Sequence, residues 1–233
     1  MKRILFIALL AFPFAGQAQK GDRKKIEGSG NVITRDISIG SFDELEAGGV
    51  FNLRLSQGDK EQVRIEAEDN LQDLFIVKNE GATLSIRMKN EVSINTRKKM
   101  IVYVTFKKLK SMDLSMVGGT ESDKNLNFTE LRIKNHSVGS VSLSLSAQSL
   151  RMDNESVGSV SLKGKAETAK IKSSSVGNIR AGEFVVQKME IDNTGVGSAE
   201  VNAARELIVK DSFLGKVKNK GGAVARKLNK SEI

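Results

Sequence analysis

The sequence predicts an all-β protein wound as a single-stranded parallel β-helix (β-solenoid) with about 19–20 residues per coil. The first observation behind this is a returning dipeptide: Val117-Gly118, Val138-Gly139, Val157-Gly158, Val176-Gly177, Val196-Gly197 and, with Leu for Val, Leu214-Gly215. Its spacings of 21, 19, 19, 20 and 18 residues mark stacked structural units rather than one irregular domain. The second is a set of apolar columns that appear when the coils are aligned on this pair. Five residues before each Val stand Met112, Ile133, Met152, Ile171, Ile191 and Val209; three after it stand Thr120, Val141, Val160, Ile179, Ala199 and Val217. Seven before it, Lys110 is followed by Leu131, Leu150, Ala169, Met189 and Leu207. The third is period-two alternation between these columns, which is the signature of strands.

The elements follow in chain order. Met1 to Ala18 reads as a secretory signal: Lys2 and Arg3 form a basic start, Ile4 to Phe14 an apolar stretch, and Gly16-Gln17-Ala18 a small-residue cleavage site. The apolar stretch is shorter than a spanning helix needs. Residues 19–27 form a polar lead, and residues 28–233 a single domain. Within it, 28–108 is an irregular β region of strand and turn, 109–222 holds the regular coils, and 223–233 is a basic tail. Turns in the first part carry Gly, Asn and Asp, the residues that tolerate tight backbone reversal.

Two columns specify how coils stack. Four residues before each Val, Asp113, Lys134, Asp153, Lys172, Asp192 and Lys210 alternate in sign, so in-register neighbours about 4.8 Å apart attract while slipped ones repel. Next to it, Leu114, Asn135, Asn154, Ser173, Asn193 and Asp211 share the inner face, and the asparagines are predicted to stack as an amide ladder. The glycine column turns a corner at the same place in each coil.

The order of motifs after the signal resembles the putative auto-transporter adhesin, head GIN domain family of secreted Bacteroidota-type proteins. It is carried by Gly28-Ser29-Gly30-Asn31, the segment around Phe42, and the strand Gly49 to Gly58 ending in Gln57-Gly58. The strands around Val63 and Leu84, and Val102-Tyr103-Val104-Thr105-Phe106 leading into the coils, complete it. The resemblance implies a single-domain parallel β-helix exported from the cell and acting as an adhesin, and it implies no catalytic residue. The literal Gly-Ile-Asn string is absent, Gly49-Val50-Phe51-Asn52 being the nearest place.

Composition narrows the chemistry. The chain has no cysteine and no tryptophan, one tyrosine and one histidine, which excludes disulfides, thiol catalysis and thiolate metal sites. No catalytic residue, cofactor site or metal site is predicted. His136 has no second His or Cys to share a metal with, and its column of Glu155, Ser174, Thr194 and Ser212 faces solvent. Asp113, Asp153 and Asp192 are separated by lysines, which makes them a neutralised stripe rather than the carboxylate pair of a glycosidase. Two hydroxyl columns, Ser137, Ser156 and Ser175 before the corner and Ser140, Ser159 and Ser198 after it, read as corner packing, with glycan or ice binding as the functional alternative. Asn135-His136-Ser137 and Asn154-Glu155-Ser156 match the glycosylation pattern, but a glycan on an inward Asn would destroy the ladder.

Charge supplies the one candidate contact. Without Lys2 and Arg3 the chain holds 35 basic and 28 acidic residues, a net +7. Lys216, Lys218, Lys220, Arg226, Lys227 and Lys230 run without an acid until Glu232. They read either as a contact for an anionic glycan or envelope surface, or as a charged end that stops the last strand from pairing with another molecule. The predicted function is an exported non-enzymatic adhesin or surface-binding domain in the periplasm, at the cell surface or secreted, with no nucleic-acid partner and no spanning segment in the mature chain. A structural or envelope-stress-linked periplasmic protein is the alternative, and a polysaccharide-active enzyme a third. The 233 residues are expected to hold no translocator barrel, so display would need another component.

Overall fold

Successive repeats lie side by side in parallel register, yet the chain is not the single-stranded parallel β-helix that the repeat predicts. The computed structural model describes residues 24–89, 92–212 and 214–227. The predicted signal and Lys230 lie outside the described residues. Strands of the first part are β1 (Lys24–Glu27), β2 (Val32–Ile37), β3 (Glu44–Val50), β4 (Asn52–Gln57), β5 (Gln62–Glu68), β6 (Phe75–Glu80), β7 (Thr83–Met88), β8 (Val92–Asn95) and β9 (Ile101–Phe106). A short 3₁₀ helix spans Asp69–Leu74. The repeats give β10 (Ser111–Val117), β11 (Thr120–Ser122), β12 (Leu126–Asn135), β13 (Val141–Asn154), β14 (Val160–Ser173), β15 (Ile179–Asn193) and β16 (Ala199–Asp211). Two short strands, β17 (Val217–Asn219) and β18 (Ala225–Lys227), end the described chain.

Sixteen of these strands form one curled sheet of mixed pairing, a half-barrel. Pairs β2/β5, β5/β9 and β6/β7 are antiparallel, whereas β3, β10, β12 and β13 to β16 pair in parallel. β1 and β8 make a separate two-stranded parallel sheet, so residues 24–27 form a strand. The correction has two physical reasons. The Val-Gly period reports only on residues that repeat, and before them the chain reverses locally, as where β6 returns as β7 through Gly81 at a φ of +60°. Period-two alternation also cannot show where a strand bends. β13 to β16 run 13–15 residues each and curve around a corner instead of breaking into short pieces.

The core lies inside the curl, and the aligned apolar columns line it. Met112, Ile133, Met152, Ile171, Ile191 and Val209 are all buried, as are the five apolar members of the column seven residues before the Val. The register matches the alignment position for position: Ile133 opposes Met152, Met152 opposes Ile171, and Ile171 opposes Ile191. Phe106 stacks on Phe128 at 5.9 Å between ring centres where the first part meets the repeats.

The buried polar column is an amide ladder that changes character along its length. Asn135 Nδ2 donates to Asn154 Oδ1 at 2.8 Å, and Asn154 Nδ2 donates to Ser175 Oγ at 2.9 Å. Ser156 Oγ donates to Asn154 Oδ1 at 2.9 Å, and the Ser173 and Ser175 hydroxyls share a bond at 2.8 Å. Asn193 leaves the ladder and donates to the backbone carbonyls of Gly197 and Gly215. These bonds satisfy groups that would otherwise be costly to bury. Ser137, Ser156 and Ser175 are buried beside them, so this hydroxyl column packs the corner.

The alternating charge column runs in register on the outside, from Asp113 opposite Lys134 to Asp192 opposite Lys210. Lys210 Nζ lies 3.1 Å from Asp192, while Asp153 is approached by Arg151 at 3.7 Å. Asp153→Lys, which would set a third cation between Lys134 and Lys172, is expected to lower stability by no more than about 1 kcal/mol, and by less in high salt. Denaturant unfolding at two ionic strengths measures this; a cost independent of salt would mean that the column is held by something other than exposed charge.

Candidate functional site: the outer faces of the repeats

The predicted basic run does not form one patch. Lys216, Lys218 and Lys220 lie on or beside β17, which pairs with the start of β16, while Arg226 and Lys227 lie on β18, which pairs with its end. The curl of β16 sends these two groups to different parts of the surface. Lys220 Nζ is 2.8 Å from Glu200, and Lys227 Nζ is 3.2 Å from Asp211. Asn219 accepts from Ala203 N at 2.8 Å and donates to Ala223 O at 2.9 Å, tying the last turn to the sheet. Much of the run is therefore engaged in closing the open end of the sheet, as edge protection requires.

Register assembles a second cationic group that the linear sequence disperses. Six residues before each Val stand Ser111, Arg132, Arg151, Lys170, Glu190 and Ile208, and these face one another in register, with Arg226 after Ile208. Arg132, Arg151 and Lys170 are thus consecutive cations on adjacent strands, pointing outward. Lys170 reaches Glu190 at 2.7 Å. Among the described residues, Arg132, Lys134 and Lys172 make no ion pair. The same alignment that finds the apolar columns finds this row when the sixth position is read.

The repeated Val is itself an outward residue. Val117, Val138, Val157, Val176 and Val196 are each about half exposed, Val157 at 54%, and stack through backbone bridges into a ridge that continues to Val50 at one end. Their β-branched side chains form one column beside the glycine corner. On the flanks, Ser140 and Ser198 are exposed. His136 is also exposed, with Nδ1 3.5 Å from Glu155, as its column predicts. Asn135 and Asn154 are buried, so neither glycosylation pattern presents its amide.

A polar hollow of about 350 Å³ lies on the antiparallel part of the sheet, lined in part by Gln62, Arg64, Glu66 and Tyr103. Its groups are satisfied by one another. The Tyr103 hydroxyl donates to Glu66 at 3.2 Å, and both burial and the Glu66 carboxylate push the phenol above its ordinary pKa. Arg64 Nε donates to Asp36 at 2.8 Å, and that hydrogen bond holds the Asp36 carboxyl below the usual range. Gln62 donates to the same carboxylate. Such mutual pairing leaves this hollow with less unmet polarity than the cation row. Among the described residues, no group of three or more His, Asp or Glu is placed to hold a metal ion, and no helix is long and apolar enough to cross a membrane.

No curated protein matches the sequence. A solved structure of a putative adhesin from Bacteroides fragilis NCTC 9343 is 28% identical, with 87% of this chain and 100% of that chain covered and a TM-score of 0.75. A putative adhesin from Parabacteroides merdae ATCC 43184 and a putative lipid binding protein from Parabacteroides distasonis ATCC 8503 are 18% and 20% identical. For each, 88% of this chain and 100% of the other are covered, with TM-scores of 0.53 and 0.56; at these identities the likeness is one of fold. The family model described as "Putative auto-transporter adhesin, head GIN domain" matches residues 41–223, and the chain belongs to that family.

Proposed function

We propose that the protein is an exported, non-enzymatic surface-binding module of the adhesin type, whose partner is an anionic glycan of a cell envelope. The observation that supports this best is the set of outward side-chain columns. They set the repeated valines, and Arg132, Arg151 and Lys170, at the spacing of adjacent strands on a sheet whose buried ladder and close-packed core hold it rigid. A fixed periodic surface suits a repetitive partner, because contacts of modest strength add along its length. The chain as a whole carries a net charge of +9, which draws polyanions and makes the association sensitive to salt. The family and the Bacteroides fragilis adhesin fit this reading.

A second reading, a structural envelope protein without a dedicated ligand, is favoured by one observation: the tail cations are engaged with Glu200 and Asp211 at the end of the sheet. Retention of the whole protein on acidic polysaccharides and on lipopolysaccharide separates the two. The binding reading expects retention that weakens as salt rises, with no new reducing or unsaturated sugar ends released. Retention on none of them would leave the structural reading, and released sugar ends would make the protein an enzyme.

A further inference from the structure

The row of Arg132, Arg151 and Lys170 sets like charges directly opposite one another on neighbouring strands, an arrangement that destabilises a sheet. The adjacent outer column shows the arrangement that stability favours, with Asp153 between Lys134 and Lys172. We infer that the row is a docking strip for a linear anionic polysaccharide, one bearing carboxylate or sulfate groups, laid across the strands. This rests on the proposed reading of the protein as a glycan-binding module and assigns that binding to a place other than the tail.

Geometry favours a thin polymer over a membrane. Outer columns are two residues apart along each strand, about 6.6 Å, so a single glycan chain can follow the cation row, exchanging the contacts of Arg151 with Asp153 and of Lys170 with Glu190 for its own anionic groups. A bilayer surface is broad and would meet Asp153 and Asp192 together with the cations. The residues flanking the row at its centre are polar, Ser149 and Thr168 on one side and Asp153 and Lys172 on the other. The two hydroxyls are suited to sugar hydroxyls. Cations on neighbouring strands recur every 4.8 Å or so, on the same length scale as the sugar units of an extended glycan. A guanidinium fork can hold a carboxylate or sulfate with paired N–H donors; Arg132 makes no ion pair among the described residues, while Arg151 has only a long contact to Asp153 at 3.7 Å.

The test measures binding of polygalacturonate, dextran sulfate and neutral dextran to three proteins: the whole chain, Arg132→Gln/Arg151→Gln/Lys170→Gln, and the tail variant Lys218→Gln/Lys220→Gln/Lys227→Gln. The expected result is binding of at least one charged polymer and not of neutral dextran, weakened about tenfold or more in the row variant and kept near the original strength in the tail variant. Arg132→Gln alone should unfold at the same temperature as the unaltered chain or higher, since it relieves like-charge repulsion without breaking an ion pair among the described residues. A clearly lower temperature would make the row a structural element and overturn the inference. Loss of binding in the tail variant with the row variant intact would overturn it while leaving the glycan-binding reading in place. Binding to vesicles containing phosphatidylglycerol but to no polysaccharide would replace the partner by a membrane. Binding to none of these probes would remove both readings.

Discussion

Gly158→Ala is expected to lower the stability of the protein by about 3–5 kcal/mol, the sum of a strained backbone and an overpacked contact. Gly158 has a φ of +144°, which L side chains rarely adopt. A methyl group there would also run into the carbonyl of Gly139 in the preceding corner, and backbone cannot move aside as a flexible side chain can. The two costs arise together because the corner is both left-handed and stacked on an identical corner. Gly30→Ala supplies the control: its φ is +82° but nothing lies within 4 Å of the added methyl, so it should cost only about 1–2 kcal/mol. Thermal or denaturant unfolding of both variants checks this, and equal costs would show that close stacking of the corners contributes nothing. Against a total stability of roughly 5–15 kcal/mol for a domain, the larger loss would leave the fold marginal.

Ile171→Ala is expected to cost about 2–4 kcal/mol by opening a cavity. Ile171 is fully buried in the middle of the stack, opposite Met152 on one side and Ile191 on the other. Both neighbours belong to strands held in register over more than ten positions, so the walls of the cavity cannot collapse into it. Val157→Ala removes a comparable amount of aliphatic side chain from the outer ridge, where 54% of the residue already meets water, and should cost less than about 1 kcal/mol. A denaturant series on the two variants ranks them; the reverse order would place the ridge in the core.

The sequence carried the stacked part of the fold because stacking is a one-dimensional problem. Once coils are aligned on Gly118, Gly139 and Gly158, every column that must avoid water shows itself by chemistry alone, from Ile133 to Val209. The sign alternation from Asp113 to Lys210 specifies the register independently, and the observed pairing follows it. The buried asparagines are legible for the same reason, since period two puts Asn135 and Asn154 on the inner face with Ile133 and Met152. Their end at Asn193 was not visible, because the acceptors it finds are the carbonyls of Gly197 and Gly215, and backbone acceptors leave no mark on residue type.

What the tertiary structure alone decided is direction and proximity. An alternating run such as Val63 to Ala67 pairs equally well with a parallel or an antiparallel neighbour, and only the fold shows that β5 runs against both β2 and β9. A strand that bends keeps its alternation, so the curl of β13 to β16 into a half-barrel is silent in the sequence. The candidate site divided in the same way. The tail lysines are adjacent in sequence and are separated by the curl of β16, whereas Arg132, Arg151 and Lys170 stand 19 residues apart and are brought side by side by parallel pairing. Residue chemistry and repeat length determine which side chains are buried and which strands are neighbours in the stack. Whether charges form one surface depends on how the chain turns between them, which is set by the balance of packing and hydrogen bonding over the whole sheet.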